Sequence, residues 1–468
     1  MGRFGRLTTI SNCGTSCKRS KCPNGRSLST SRGRAMTSNS KTISSKRTEI
    51  RGALDAQGKA QKLLVEDGIF VEKFSSNENV LAIEAAGLTV LPGLVDLHTH
   101  LREPGREDAE TVLTGSQSAV AGGYTAISAM PNTLPVADTA GVVEQVFRLG
   151  AHHGLCDVFP IGAVTLGQEG KHLAELSAMN QSEAQVRIFS DDGHCVADPL
   201  VMRRALEYVK TFDGIIAQHA QDPRLTDNAQ MNEGDVSARL GLKGWPAVAE
   251  EAIIARDVLL AEHVGSRLHI CHLTTAGGVE IVRRAKERGI QVTAEVTPHH
   301  LLLTDDYVES YDPVFKVNPP LRTERDVEAL REGLADGTID IVATDHAPHP
   351  LEAKDCEWNA AAFGMVGLET AFSIGYLTMV KSGLISLSTL LERMSSKPAD
   401  IARYSDHGSL EVGTRANFFL ADLDQEWTVD RAALHSKSRN TPFHAMRLPA
   451  RIMMTFHNGA LVFDRGAH

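Results

Sequence analysis

The chain has 468 residues, of which 42% are hydrophobic, and a formal net charge of −10. No apolar run approaches the roughly 20 residues that cross a bilayer, so the composition predicts a soluble globular enzyme or binding protein without a membrane span. The charge is uneven, because residues 1–48 carry eleven Lys or Arg and no Asp or Glu, and the remainder sums to about −21. An acidic body of this kind argues against nucleic-acid binding.

Residues 1–48 form a basic, Ser-rich leader without the apolar periodicity needed to fold alone, and we expect it to be disordered. It is similar to an organellar transit peptide, although Gly and Pro interrupt it; the alternative is a mis-assigned start, with Met36 as the true beginning. Three cysteines in the leader lack a fourth ligand nearby and are expected to be free thiols: Cys13, Cys17 and Cys22. The other four follow no disulfide framework, which suits a reducing cytoplasm: Cys156, Cys195, Cys271 and Cys356.

Short strand patterns occur near both ends of the remaining chain. Residues 49–52 and 62–71 resemble strands, with a turn at Asp67-Gly68. Similar patterns return at residues 417–422 and 451–462. We therefore predict one small β-sandwich domain that is built from residues 49–91 and 405–465.

Between these ends, residues 92–404 alternate apolar runs with helical patterns. Eight runs fit buried parallel strands: Val90–His100, Ala126–Met130, Asp157–Gly162, Val186–Asp192, Ile215–His219, Leu268–His272, Gln291–Val296 and Ile339–Asp345. Helices are predicted at Asp138–His153, Pro199–Phe212, Val248–His263, Ala276–Arg288 and, after a Thr323 cap, Glu324–Ala335. Because eight parallel strands with right-handed crossovers close a barrel, we predict an α/β fold with a (β/α)8 TIM-like barrel. A doubly wound open sheet is the alternative.

Five of these runs end in a residue that can bind a metal or move a proton. His98 and His100 are two apart on one strand, so their imidazoles point the same way and can reach one cation. His219, His272 and Asp345 end later runs. Each of these residues taken alone is better explained as a structural His or a helix-capping Asp, but the carboxyl ends of barrel strands meet at one mouth. The sequence therefore predicts a metal site there.

Five segments make the resemblance to a known family specific. They are Pro92–Gly105, Met130–Thr133, Phe189–Gly193, Lys316–Arg322 and Ala343–His349. With them the chain resembles the amidohydrolase superfamily and, within it, the bacterial type I dihydroorotases, from about residue 49 to 465. The superfamily motifs alone leave hydantoinase and allantoinase open, whereas Arg102-Glu103-Pro104-Gly105 together with Met130-Pro131-Asn132-Thr133 is more selective.

The resemblance implies a set of metal ligands. His98, His100 and Asp345 would bind one Zn²⁺, His219 and His272 would bind a second, and Asp192 would bridge the two. Many relatives use a carboxylated lysine as the bridge, and Asp191-Asp192 stands there in this chain. Composition alone does not choose between these two aspartates; the motif selects Asp192. One or two zinc ions per chain are expected.

The resemblance also implies the reaction, a reversible cyclisation of N-carbamoyl-L-aspartate to L-dihydroorotate in pyrimidine synthesis. Asp345 would be the catalytic base. The substrate carboxylate would be held by Arg102, Asn132 and His349, and its ring edge by Asn318 and the backbone around Phe363 and Gly364. Arg102 follows His100 by two residues and so would point into the same mouth, where a guanidinium can grip a carboxylate through two parallel hydrogen bonds.

The sequence leaves two other functions open. A hydantoinase or allantoinase would share the metals without requiring a carboxylate clamp. A catalytically dead scaffold for aspartate transcarbamoylase would have lost ligands, and all six are present. We further expect a cytoplasmic homodimer that acts on a small molecule, with aspartate transcarbamoylase as a candidate partner.

Overall fold

The computed structural model describes residues 46–467 of the chain. The predictions for the leader as far as residue 45, including its three cysteines, lie outside these residues. The fold is mixed α/β, and within residues 46–467 no helix is both long and apolar enough to span a membrane. The four remaining cysteines are free thiols, as predicted.

Strands and helices alternate through the middle of the chain, whereas strands dominate both ends. The strands are β1 (Arg47–Leu54), β2 (Ala60–Glu66), β3 (Ile69–Phe70), β4 (Val80–Glu84), β5 (Thr89–Pro92), β6 (Leu94–Thr99), β7 (Tyr124–Ala129), β8 (Asp157–Pro160), β9 (Ile188–Phe189), β10 (Ile215–Gln218), β11 (Met231–Asn232), β12 (Gly244–Trp245), β13 (Arg267–Ile270), β14 (Val292–Val296), β15 (Ile341–Val342), β16 (Phe418–Asp422), β17 (Trp427–Thr428), β18 (Arg447–Leu448), β19 (Arg451–His457) and β20 (Ala460–Asp464). The α-helices are α1 (Val112–Ala121), α2 (Ala140–His153), α3 (Leu176–Gln181), α4 (Pro199–Val209), α5 (Asp235–Leu240), α6 (Val248–Val264), α7 (Ala276–Glu287), α8 (Glu324–Asp336), α9 (Ala371–Gly375), α10 (Leu387–Leu391) and α11 (Lys397–Ala402).

Strands from both ends of the described chain share one eight-stranded sheet. Its order is β20-β19-β16-β5-β1-β2-β3, with β4 beside β1. The predicted turn at Asp67-Gly68 joins β2 to β3, and both residues have positive φ, as a tight hairpin requires. Phe418 and Phe456 stack with ring centroids 4.3 Å apart in its core. The sequence predicts one small β-sandwich from both ends, and the observed pairings join strands from both ends in one sheet.

The central strands are parallel and form two groups. One has the order β6-β7-β8 and the other β15-β14-β13-β10-β9. Isolated parallel bridges join their edges, Gly162 with Phe189 on one side and Thr99 with His346 on the other. Alternate side chains of these strands form a buried apolar cluster that includes Val95, Ile215 and Ile341. All eight predicted runs contain strand, and the carboxyl ends of five of them carry the candidate ligands.

The first predicted run, Val90–His100, is divided at Gly93. Its first part is β5, which pairs with β16 in the terminal sheet, and its second part is β6 of the central strands. Gly93 packs against Thr125, and a β-carbon on Gly93 would lie 2.5 Å from Thr125 Cγ2. Glycine is therefore required where the chain passes from the terminal sheet into the central strands.

Helices fill the intervals between the central strands close to the predicted bounds. Helix α8 begins after Thr323, whose hydroxyl forms the predicted capping box with Asp326. Helix α4 begins with Pro199 after an Asp198 cap, which suits a residue without a backbone N–H. The helices bury their apolar sides in the main hydrophobic core, and the polar ligand set is left at the strand ends.

Candidate active site and metal centre

The first part of the site comes from the ends of β6 and β15. His100 Nε2 lies 3.0 Å from Asp345 Oδ1 and 3.2 Å from Asp192 Oδ2. His98 Nε2 lies 3.4 Å from Asp192 Oδ1 and 3.5 Å from Asp345 Oδ1. All four side chains are buried, and His98 Nε2 has no hydrogen-bond partner. An imidazole nitrogen buried in this way is directed at a place where a cation fits.

The second part comes from the residues that follow β10 and β13. His219 Nδ1 and His272 Nε2 each lie 3.2 Å from Asp192 Oδ1 and 2.9 Å from each other. Asp192 is therefore within reach of both histidine pairs. Asp191 faces away, and its carboxylate accepts hydrogen bonds from the backbone N–H groups of Val164 and Thr165 at 2.8 and 3.0 Å.

The donor set fits divalent metal ions. Two trios of buried ligand atoms, each within 4.8 Å of one another, share Asp192: one with His98 and His100, and one with His219 and His272. Although burial opposes ionisation of Asp192, the charge on His98 and hydrogen bonds from the other histidines hold the pKa of Asp192 well below 3.8. Clustered imidazole and carboxylate ligands of this kind are typical of zinc sites.

Sequence reasoning missed Glu295 on β14. Its carboxylate accepts hydrogen bonds from His98 Nδ1 at 2.5 Å, His269 Nε2 at 3.0 Å and the His272 backbone N–H at 3.1 Å. Although burial opposes its charge, His98 and His269 lower the pKa of Glu295. Carboxylates that bind the second nitrogen of a ligand histidine fix its orientation. The signal in the sequence is an acidic residue within an otherwise apolar strand.

Asp96 is a second missed residue and supports the backbone beside two ligands. Its carboxylate accepts hydrogen bonds from the N–H groups of His98 at 3.0 Å and Thr344 at 3.1 Å. Complete burial raises the pKa of Asp96 to about 7. Asp345 itself has φ of 45°, a left-handed conformation that is uncommon for Asp and concentrates at functional sites.

A cavity of about 250 Å³ opens beside the metal cluster. Its lining consists of His100, Arg102, Asn132, Asp192, Gly193, His219, Asn318, Asp345, Ala347, His349, Phe363 and Gly364. Ten of the twelve predicted site residues thus line one cavity. The other two, His98 and His272, lie behind it in the ligand cluster.

The cavity has one cationic side chain in its lining. Arg102 is buried, with its Nε donating to the Pro348 carbonyl at 3.2 Å. Burial and the neighbouring Arg106 lower the pKa of Arg102 to about 10, so it is charged at neutral pH. Asn132 accepts a hydrogen bond from His100 Nδ1 at 2.8 Å, which sets the orientation of that imidazole.

His349 and Asn318, which also line the cavity, present unpaired polar atoms. His349 Nε2 donates to the Phe363 carbonyl at 2.7 Å, and His349 Nδ1 is buried without a partner. Burial and the charge of Arg102 lower the pKa of His349 to about 3, so its ring is neutral. Asn318 Oδ1 is also buried without a partner, while its Nδ2 donates to Gln221 at 3.2 Å. Gln221 is a further contact that the sequence did not indicate.

A mixed α/β fold with four imidazoles and two carboxylates around a cationic cavity defines a metal-dependent cyclic amidohydrolase. A family model described as Dihydro-orotase-like matches residues 87–277, and the dihydroorotase of Streptomyces coelicolor is 65% identical over 417 residues, 88% of this chain and 97% of that protein. The chain belongs to the dihydroorotase family.

Further relatives agree with this assignment. The dihydroorotase of Mycobacterium tuberculosis is 54% identical over 422 residues, which are 89% of this chain and 98% of that protein. Among solved structures, the L-hydantoinase (dihydropyrimidinase) of Arthrobacter aurescens superimposes with a TM-score of 0.79 and 26% identity, over 89% of this chain and 96% of that one. The hydantoinase shares the fold at low identity, whereas the dihydroorotase relatives at 54–65% identity confirm the main functional prediction over hydantoinase and allantoinase.

Proposed function

We propose that this chain is a zinc-dependent, type I dihydroorotase that interconverts N-carbamoyl-L-aspartate and L-dihydroorotate. The observation that carries the proposal is the position of Arg102 in the same cavity as the ligand cluster. A hydantoin needs no cation opposite the reacting amide, whereas both proposed substrates carry a carboxylate outside the reacting bond. A buried guanidinium is suited to bind such a group through two parallel N–H donors.

The proposed metal site uses all six predicted ligands. His98, His100 and Asp345 would hold one zinc ion, His219 and His272 a second, and Asp192 would bridge them. Divalent zinc supplies a Lewis acid for the amide carbonyl and lowers the pKa of a water molecule. The unpaired His98 Nε2 and the 2.9 Å approach of the His219 and His272 ring nitrogens support this assignment.

Asp345 is the proposed catalytic base. In hydrolysis its carboxylate would take a proton from the attacking water and return it to the leaving ring nitrogen. In cyclisation it would take the proton from the ureido nitrogen, as microscopic reversibility requires. Although burial favours the neutral acid, His98 and His100 lower the pKa of Asp345, so that the group is ionised and has no proton of its own.

The other cavity residues would orient the substrate. Arg102 would bind the free carboxylate, with Asn132 and His349 beside it. Because His349 Nε2 donates to the Phe363 carbonyl, binding a carboxylate through this proton requires exchange of that bond. Asn318 and the backbone of Phe363 and Gly364 would bind the ring edge, for which the unpaired Asn318 Oδ1 provides an acceptor.

The proposal extends to the architecture and assembly. The two isolated bridges between the strand groups support a closed (β/α)8 barrel over residues 92–404. The shared terminal sheet supports a small β-domain from residues 49–91 and 405–465.

From the family resemblance we propose a cytoplasmic homodimer with aspartate transcarbamoylase as a candidate partner. Light scattering of the protein alone tests the homodimer, and light scattering with that enzyme tests the partnership.

The test of function combines metal content with substrate choice. Purified protein should contain one or two zinc ions per chain by mass spectrometry. It should hydrolyse dihydroorotate much faster than hydantoin or allantoin. An Arg102→Lys variant should lose this preference mainly through a higher KM for dihydroorotate, because an ammonium lacks the planar pair of donors. Equal rates of the wild-type enzyme on dihydroorotate, hydantoin and allantoin would contradict the proposal.

A further inference from the structure

A segment from the C-terminal part of the chain, residues 435–441, lies against the loops that carry the active site. The carboxylate of Glu369 accepts the His435 backbone N–H at 2.6 Å, and that of Glu110 accepts the Lys437 backbone N–H at 3.0 Å. Ser438 Oγ donates to the Ala109 carbonyl at 2.7 Å. These bonds hold the segment in place and set the position of the buried Asn440.

The Asn440 side chain forms hydrogen bonds to the active-site loops through both its donors and its acceptor. Its Nδ2 donates to the Ala347 carbonyl at 2.9 Å and to the Gly364 carbonyl at 3.1 Å. Its Oδ1 accepts the His349 backbone N–H at 3.3 Å. The Asn440 carbonyl also accepts the Val366 N–H at 3.2 Å. The residue thus joins both ends of the loop formed by residues 350–363.

The two ends of this loop are closely packed in the cavity wall. A β-carbon on Gly364 would lie 2.8 Å from His349 Nε2, so only glycine leaves room for the His349 ring at this point. Gly364 also donates its N–H to the Lys316 carbonyl at 2.9 Å. A primary amide supplies two donors and an acceptor in one plane, and this matches the two carbonyls and one N–H that it meets here.

We propose that Asn440 is a positioning residue for substrate binding. It holds His349 and Gly364 at a fixed separation in the wall of the cavity that Arg102 also lines, and thereby sets the affinity for the substrate while leaving the metal cluster and Asp345 unaffected. This inference rests on the proposed function, because His349 and Gly364 are assigned to the substrate there.

The experiment compares Asn440→Ala and Asn440→Asp with the wild type in dihydroorotate hydrolysis. Both variants should raise KM about tenfold or more, with kcat within about threefold and zinc content unchanged. The aspartate variant keeps the side-chain volume but places oxygen atoms opposite two carbonyls, so it should be at least as impaired as the alanine variant. A role in packing alone predicts the reverse order, with the aspartate variant close to the wild type.

Asn417 provides a matched control. It is equally buried, donates to the Asp406 carbonyl at 2.8 Å and accepts the Asn458 N–H at 2.7 Å, in the region of the terminal sheet. Asn417→Ala should lower the melting temperature without changing KM. If Asn440→Ala does not fold, Asn440→Ser, which keeps one hydroxyl donor, takes its place with a smaller expected rise in KM.

The outcomes separate this inference from the proposed function. An unchanged KM in folded Asn440 variants, or an equal rise in Asn417→Ala, would overturn the positioning role while wild-type turnover of dihydroorotate still supports the function. Absence of wild-type turnover on dihydroorotate in a zinc-loaded protein would instead remove the function on which the inference rests.

Discussion

At the residue scale, the two candidate carboxylate ligands differ in their proposed roles, because Asp192 would only hold metal whereas Asp345 would hold metal and also move a proton. Asp192 contacts all four candidate histidine ligands, whereas Asp345 contacts two of them, His98 and His100. Both carboxylates line the cavity. A carboxylate that contacts fewer imidazoles keeps more of its oxygen lone pairs for a proton, which favours Asp345 as the base. One that is surrounded by imidazoles is restricted to holding charge.

We expect Asp345→Ala to lower kcat for dihydroorotate by a factor of about 10² to 10⁴, the usual contribution of a general base. The fold and most of the bound metal should be retained, because five other ligands remain. Circular dichroism, zinc content and steady-state kinetics measure these three properties. Full activity in the variant would exclude Asp345 as the base.

The neighbouring aspartates offer a matched pair. Asp192→Asn should lose metal, since a neutral amide cannot bridge two cations as a carboxylate does. Asp191→Asn should keep its metal and lose stability by about 1–3 kcal/mol, because its partners are buried backbone N–H groups and Thr165. Zinc content and thermal unfolding of the two variants distinguish them. The opposite pattern would assign the bridge to Asp191.

Glu295 allows a test of indirect support for the metal. Glu295→Gln keeps the shape of the side chain but removes the negative charge that His98 and His269 share. Loss of such a partner weakens metal binding about 10- to 100-fold, so we expect zinc to be displaced at a lower concentration of chelator. A competition titration measures this, and an affinity equal to that of the wild type would show that Glu295 has no such role.

At the element scale, the passage from the terminal sheet to the central strands depends on the small size of Gly93. Gly93→Ala places a methyl group against Thr125, and overpacking of this kind costs about 1–3 kcal/mol. Gly141 in α2 has open space around it, so Gly141→Ala is a matched control that should be neutral or slightly stabilising. Thermal unfolding measures the stability of both variants, and equal melting temperatures for the two would contradict the prediction.

Elements were predictable where local signals suffice. Helices α2, α6 and α8 lie within two residues of their predicted bounds, because caps and apolar periodicity are local. The runs Val186–Asp192 and Ile339–Asp345 contain only two-residue strands, since pairing depends on neighbours that are remote in sequence. The pairing order of the terminal strands depends on remote neighbours in the same way, and the sequence indicates only that both ends contribute strands.

The site residues divide in the same way into those with a local sequence signal and those without one. The clustering of the candidate ligands could be predicted because these residues end apolar runs and match family motifs. Glu295, Asp96 and Asn440 act through bonds to other residues, and no local pattern marks such bonds. Asn440 in particular lies in an irregular segment, and its contacts with Ala347 and Gly364 join positions more than 70 residues apart.

At the scale of the whole molecule, the candidate ligands connect strands from residue 98 to residue 345. Removing metal should therefore destabilise the entire fold, since a ligand that binds the native state at 100 times its Kd contributes about 2.7 kcal/mol. The size of this contribution should depend on pH, because the same side chains bind protons when metal is absent.

The sign of this dependence follows from two pKa shifts. Although burial opposes its charge, Asp192, Glu295 and Asp345 raise the pKa of His98 well above 6.5. The stability that protonated His98 contributes to the metal-free protein is thus complete below pH 6.5 and is lost as the pH rises through the raised pKa. The pKa of Asp192 is lowered, so its contribution persists above pH 3.8 and is lost only in stronger acid.

We therefore expect chelation to lower the melting temperature more at about pH 8 than at about pH 6, with recovery on addition of zinc. At the higher pH, protonated His98 loses the proton whose charge offsets the buried carboxylates of the metal-free protein, so that form becomes less stable. Zinc binds the deprotonated imidazole, so the metal-bound form does not depend on that proton. Differential scanning fluorimetry with and without a chelator measures the difference, with zinc loss verified by mass spectrometry. Asp192→Asn serves as the control, because it should show little change with chelator at either pH. A wild-type shift that is equal at both pH values would mean that the cluster does not exchange protons for metal.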